Sequence, residues 1–109
     1  MVEALNATTG WDVTLDEALD AGHRSIILQG VFGTQRGWRA EDDWTDVGPR
    51  FLVPLPDGPH AGFTIARWLY GLIQEYYGLS GRHETSGRPL MSTLSRLGLE
   101  EFASWAEPA

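Results

Sequence analysis

The chain has 109 residues, no cysteine and no lysine; its eight basic residues are all arginine and stand against fifteen acidic ones, for a formal net charge of −7. A single domain of this size can bury roughly 60–70% of the surface its unfolded form exposes, enough for a core but with little room for an enclosed cofactor cavity. The composition excludes disulfides, thiolate metal sites, cysteine nucleophiles and lysine Schiff bases, and its acidity argues against a nucleic-acid partner, which needs a clustered positive face.

In chain order, Met1–Asn6 lacks the basic region and long apolar core of a signal peptide. No apolar run approaches the roughly 18 residues of a membrane span, so a cytoplasmic protein with no membrane partner is expected. Thr14-Leu15-Asp16-Glu17 fits a capping box and predicts a helix beginning at Leu15. Asp16 and Glu17 then sit at the positive end of its dipole. Leu15, Ala18, Leu19, Gly22 and Ile26 recur at steps of three and four, predicting one inward stripe, and Ile26-Ile27-Leu28 predicts a deeply packed second half. Gly30, Gly33 and Gly37 place the helix end between Phe32 and Gly37.

Trp38 to Gly62 has no sustained period. Pro49, Pro54, Pro56 and Pro59 each remove a donor and bias the preceding residue toward extended backbone. This reads as an ordered irregular crossing whose Phe51, Leu52, Val53 and Leu55 pack down onto the helical core. From Thr64, a capping residue, the helical period returns with Ile65, Trp68, Leu69, Leu72, Ile73, Tyr76 and Tyr77, and Gly78 and Gly81 end it. Gly81–Gly87 is a polar turn. Pro89 fits the first turn of another helix, carrying Leu90, Met91, Leu94 and Leu97 inward before Gly98, and a last short helix is expected over Leu99–Trp105. The expected fold class is all-α: four to five helices packed as an orthogonal bundle around one long Pro-rich crossing, with residues 1–109 a single domain.

Few residues here carry chemistry. His23, His60 and His83 are far apart in sequence, and none has a partner three or four residues on that would put two imidazoles on one helical face. Glu41-Asp42-Asp43 is the densest carboxylate group; it suits either a hard cation or, more simply, a cap and pairing with Arg36, Arg39 or Arg50. Arg36-Gly37-Trp38-Arg39 offers a cation–π pair, an anion contact or pairing with that triplet. Trp11, Trp38, Trp44, Trp68 and Trp105 belong either to the core or to a surface covered by another chain. Tyr76-Tyr77 reads as helix packing with one hydroxyl bonded near the crossing. Nothing assembles a nucleophile, base and oxyanion site, so no catalytic, cofactor-binding or metal residue is assigned.

Several motifs together resemble a family. Pro54-Leu55-Pro56-Asp57-Gly58-Pro59-His60-Ala61-Gly62 is similar to a PLPxGPxxG stretch, Tyr76-Tyr77-Gly78-Leu79-Ser80-Gly81 to YYxLxG, and Leu94-Ser95-Arg96-Leu97-Gly98-Leu99 to LxxLGL. Upstream, Ala7-Thr8-Thr9-Gly10-Trp11-Asp12 is similar to an ATGWD turn, and Glu41-Asp42-Asp43 to an acidic triplet. In this order they resemble the C-terminal part of the tungsten-dependent aldehyde ferredoxin oxidoreductases. The resemblance implies, for the full-length proteins, a tungstopterin cofactor, a [4Fe–4S] cluster and aldehyde oxidation to carboxylic acids with ferredoxin as acceptor. It places the cluster cysteines and pterin contacts N-terminal to the matched region, so none carries over here. Departures from the pattern are Gly81-Arg82-His83-Glu84 after the tyrosines, and Leu28-Gln29-Gly30-Val31-Phe32-Gly33, where an asparagine-containing segment is usual. Two readings follow: a helical scaffold segment or split subunit with a catalytic partner chain carrying tungstopterin and cluster cysteines, or a free-standing helical protein-binding module without redox activity.

Overall fold

The computed structural model describes residues 1–108. Its elements are α1 (Val2–Thr9), α2 (Leu15–Gln35), α3 (Asp42–Thr45), α4 (Pro49–Leu52), α5 (Ala66–Leu79), α6 (Met91–Arg96) and a closing 3₁₀ helix (Glu100–Trp105). There is no strand among the described residues; Arg82 and Pro89 form a lone bridge across the polar turn. The chain is all-α, and α1, α3 and α4 lie where no helix was located from periodicity.

α1 forms in a segment with weak apolar patterning because local bonds hold it. Thr8 and Thr9 hydroxyls donate back to carbonyls of the preceding turn. The Asn6 amide then exchanges two hydrogen bonds with the Val13 backbone at 2.8 and 3.0 Å, tying α1 to the entry of α2. The capping box at Thr14 is present, with the Thr14 hydroxyl accepting from Glu17 N–H at 3.2 Å and the Glu17 carboxylate accepting from Thr14 N–H at 2.8 Å. The carboxylate also accepts from the Thr14 hydroxyl at 3.0 Å, and the bonds it accepts from Thr14 N–H and Oγ1–H hold the Glu17 carboxyl below its ordinary range, the backbone bond most. α2 stops at Gln35, inside the window that its glycines set.

The crossing is ordered and contains two single turns of helix. Pro49 opens α4 at a position where its missing N–H costs nothing. Farther on, Leu55 N–H donates to Phe63 O and Gly62 N–H to Leu55 O, closing the Pro-rich loop on itself. Thr64 joins this loop to the next helix: its hydroxyl donates to Leu52 O at 2.9 Å and accepts from Ala66 N–H at 3.2 Å. After α5, the chain turns at Gly81, whose φ of +70° is in the left-handed region. A Cβ there would also run into the Thr93 side chain, whose hydroxyl donates to Gly81 O at 2.7 Å.

Burial corrects several sequence expectations. The core gathers Ile27, Leu94, Leu97, Leu99 and Ala106, with Leu28 and Phe102 against it. This C-terminal cluster covers only the middle of α2, so Ile27 and Val31 are buried while Leu15 and Leu19 remain 60% and 62% exposed and Ile26 is also exposed. The inward stripe is therefore one residue around the helix from the one expected, and its N-terminal half is uncovered. The crossing likewise does not lay its apolar residues on the core: Phe51, Val53 and Leu55 face outward. In α5 Tyr77 is fully buried, but Trp68, Leu72 and Tyr76 are about half exposed, and in α6 Met91 is exposed where an inward position was expected.

The result is an open, flat molecule of 52 × 39 × 21 Å with a Cα radius of gyration of 17.9 Å. A compact chain of this length has about 13 Å. No helix among the described residues is long and apolar enough to cross a membrane.

Candidate functional site

The acidic triplet divides its work among three neighbours. Asp42 accepts from Arg39 N–H at 2.7 Å, tying the turn before α3 to its first residue, and Glu41 pairs with the Arg39 guanidinium at 3.4 Å on the surface. Asp43, though exposed, accepts with its carboxylate from Tyr77 Oη at 2.6 Å and from Trp38 Nε1 at 3.2 Å. Burial, followed by the bond to Asp43 and its negative charge, raises the Tyr77 hydroxyl well above its ordinary value, and Arg82 opposes them in part. Tyr77 is thus a fixed donor. The expectation of a tyrosine hydroxyl bonded near the crossing holds for this residue. Trp44, next along α3, packs edge-on against Tyr70 at 5.1 Å, so α3 is seated on α5 by one polar and one aromatic contact. Arg36 lies over Phe32 at 4.7 Å, so its cation–π partner is not the indole of Trp38.

The histidines serve separate purposes. His23 accepts at Nδ1 from Arg96 Nη2, both at 2.7 Å, and therefore donates from Nε2 to Ser80 O at 2.7 Å. One imidazole thereby links α2, the end of α5 and α6. His83 Nδ1 accepts from Ser86 N–H within the polar turn and lies 3.7 Å from the Glu107 carboxylate. His60 is exposed in the Pro-rich loop. Among the described residues, no three His, Asp or Glu side chains gather into a group that could hold a metal ion.

The larger surface depressions are apolar and open. One of about 590 Å³ lies between α1 and α2, with Leu5, Trp11 and Val13 in its wall. Another, of about 540 Å³, is formed by Phe51, Val53, Leu55 and Phe63 of the crossing with Ile65. Trp11 is 61% exposed and Trp68 is half exposed, whereas Trp38, Trp44 and Trp105 are partly covered. The tryptophans therefore divide between partly covered positions and exposed ones, and none is fully buried. Accessible area totals 7895 Å², against about 6,000 Å² expected for a folded monomer of this mass.

The family model described as aldehyde ferredoxin oxidoreductase, domains 2 & 3, matches residues 1–99. The chain belongs to this family. No curated protein and no solved structure matches it. The match to the aldehyde ferredoxin oxidoreductase family ends at Leu99, just before the closing 3₁₀ helix. Two of the motifs that carry the family resemblance fall on packing devices. Tyr77 of the YYxLxG motif is bonded to Asp43 of the triplet, and Leu94, Leu97 and Leu99 of LxxLGL are core residues. Sequence reasoning missed Arg82, which is nearly as buried as those leucines. Its only visible signal was that it lies in Gly81-Arg82-His83-Glu84, the segment that departs from the family pattern after the tyrosines.

Proposed function

We propose that this chain is a non-catalytic helical piece of an aldehyde ferredoxin oxidoreductase, residues 1–109 forming one helical domain that docks through its apolar faces onto a body carrying the cofactors. The observation that supports this reading is the uncovered apolar surface. The accessible area exceeds that of a folded monomer of equal mass by about 1,900 Å², more than one partner contributes to a standard interface and in the range of obligate ones. Exposed apolar side chains, Leu15, Leu19, Trp11 and Phe51 among them, lie within this uncovered area, and exposed apolar surface marks contacts with other protein surfaces.

In this reading the partner supplies tungstopterin, the [4Fe–4S] cluster and the ferredoxin contact that the family resemblance implies. A chain without cysteine offers no thiolate to such a cluster, so the cluster does not fit residues of this chain and no redox step is assigned to them. The role of α1, α2 and the crossing is to present Leu15, Leu19, Trp11 and Phe51 to that body. Purification of the chain from its native source, with tungsten, molybdenum and iron analysis and identification of bound chains, tests this. The expected result is one large cysteine-bearing partner with stoichiometric metal. A metal-free monomer or homodimer would overturn the scaffold role and leave a free-standing helical binding module.

A further inference from the structure

Arg82 is a buried cation without a counter-ion. It is 8% exposed, and no carboxylate lies within ion-pair distance of it among the described residues. Nη2 donates to Ile26 O of α2 at 2.9 Å, while Nε is buried with no acceptor. α2 makes room for this group with a glycine: a Cβ on Gly30 would stand 2.8 Å from Nη2. An open cleft of about 370 Å³ reaches the guanidinium, walled by Ile26, Gln29, Trp38 and Tyr76. Asp43 also borders the cleft, but its oxygens accept from Tyr77 and Trp38.

A buried guanidinium without a counter-ion is costly unless an anion pairs with it, and its planar fork matches a carboxylate. The walls of the cleft are an indole, a phenol and an isoleucine, which suit an apolar or aromatic body. A doubly charged phosphate would bring its second charge against Asp43. We propose that the Arg82 cleft binds an organic monocarboxylate, paired with Arg82 and flanked by Trp38 and Tyr76. This inference does not depend on the docking role, since it concerns the chain alone.

The test is titration of the isolated chain with benzoate at low salt, followed by amide resonances and tryptophan fluorescence. The expected result is a saturable shift centred on Ile26–Gly33 and Trp38, with affinity reduced at least tenfold in R82Q. Inorganic phosphate should produce less than a tenth of that response. G30A provides a second variant that favours helix formation while crowding Nη2; it should weaken benzoate binding several-fold with an unchanged helical circular dichroism spectrum. The proposal is overturned by no saturable response to benzoate, by phosphate binding as tightly as benzoate, or by R82Q binding benzoate as wild type does. If R82Q does not fold, a folded G30A with undiminished benzoate affinity is equally decisive.

Discussion

Tyr77 joins two segments that are 34 residues apart in sequence through a single hydrogen bond to Asp43. Replacing it by phenylalanine keeps the ring in its fully buried site but leaves one Asp43 oxygen without its donor. A loss of about 1–3 kcal/mol follows, measurable by chemical denaturation. The same residue fixes a pH dependence. Its folded proton affinity is raised above the unfolded value of 10.0, so its stabilisation is complete below pH 10 and declines as the pH rises above it. Wild-type stability should fall in that window by up to about 1.4 kcal/mol per pH unit. The Tyr77→Phe protein should lack this component, and an equal decline in both proteins would refute the assignment. Asp43 was visible in the sequence only as one of three adjacent acids. Adjacent residues in a turn point in different directions, and nothing local marks which of them meets a tyrosine brought back by α5.

At the scale of elements, local chemistry was readable and long-range coverage was not. The capping box at Thr14, the end of α2 near Gly37 and the stop at Gly98 are each decided by residues within four positions, and each is present. Gly81 shows the boundary between the two kinds of information. Its role as a terminator follows from neighbouring residues, whereas its closeness to Thr93 depends on how α6 packs back. Gly81→Ala therefore carries two costs, the left-handed backbone at about 1–2 kcal/mol and displacement of the Thr93 side chain with its bond to Gly81 O. A combined loss of about 2–3 kcal/mol is expected, read as a lower denaturation midpoint with unchanged m-value; a change under 1 kcal/mol would contradict the geometry. The rotated stripe of α2 has a similar origin. Apolar spacing at three and four reveals that a helix has an apolar side, but Leu15 and Ile27 both satisfy it, and only the docking of Leu94, Leu97 and Leu99 selects between them.

The whole molecule is more extended than its length requires, and many apolar residues outside the C-terminal cluster, Leu15, Leu19, Phe51, Val53 and Leu55 among them, face outward. Leu19 makes the distinction between folding and docking measurable. At 62% exposure it adds little to the fold, so Leu19→Ser should change the stability of the isolated chain by no more than about 0.5 kcal/mol. On the docking role we propose, the same change weakens association with a cofactor-bearing body at least tenfold in a pull-down or titration. Strong destabilisation of the isolated chain would mean that the surface is internal to the fold. The Thr64 hydroxyl bears on how such an open chain holds its order. It gives a proton to the crossing at Leu52 O and takes one from the first turn of α5 at Ala66. Lifting the Pro-rich loop exposes the start of α5 to fraying, and fraying of α5 releases the loop. An irregular segment and a regular one thus open and close as one cooperative unit, although their backbones share no periodicity.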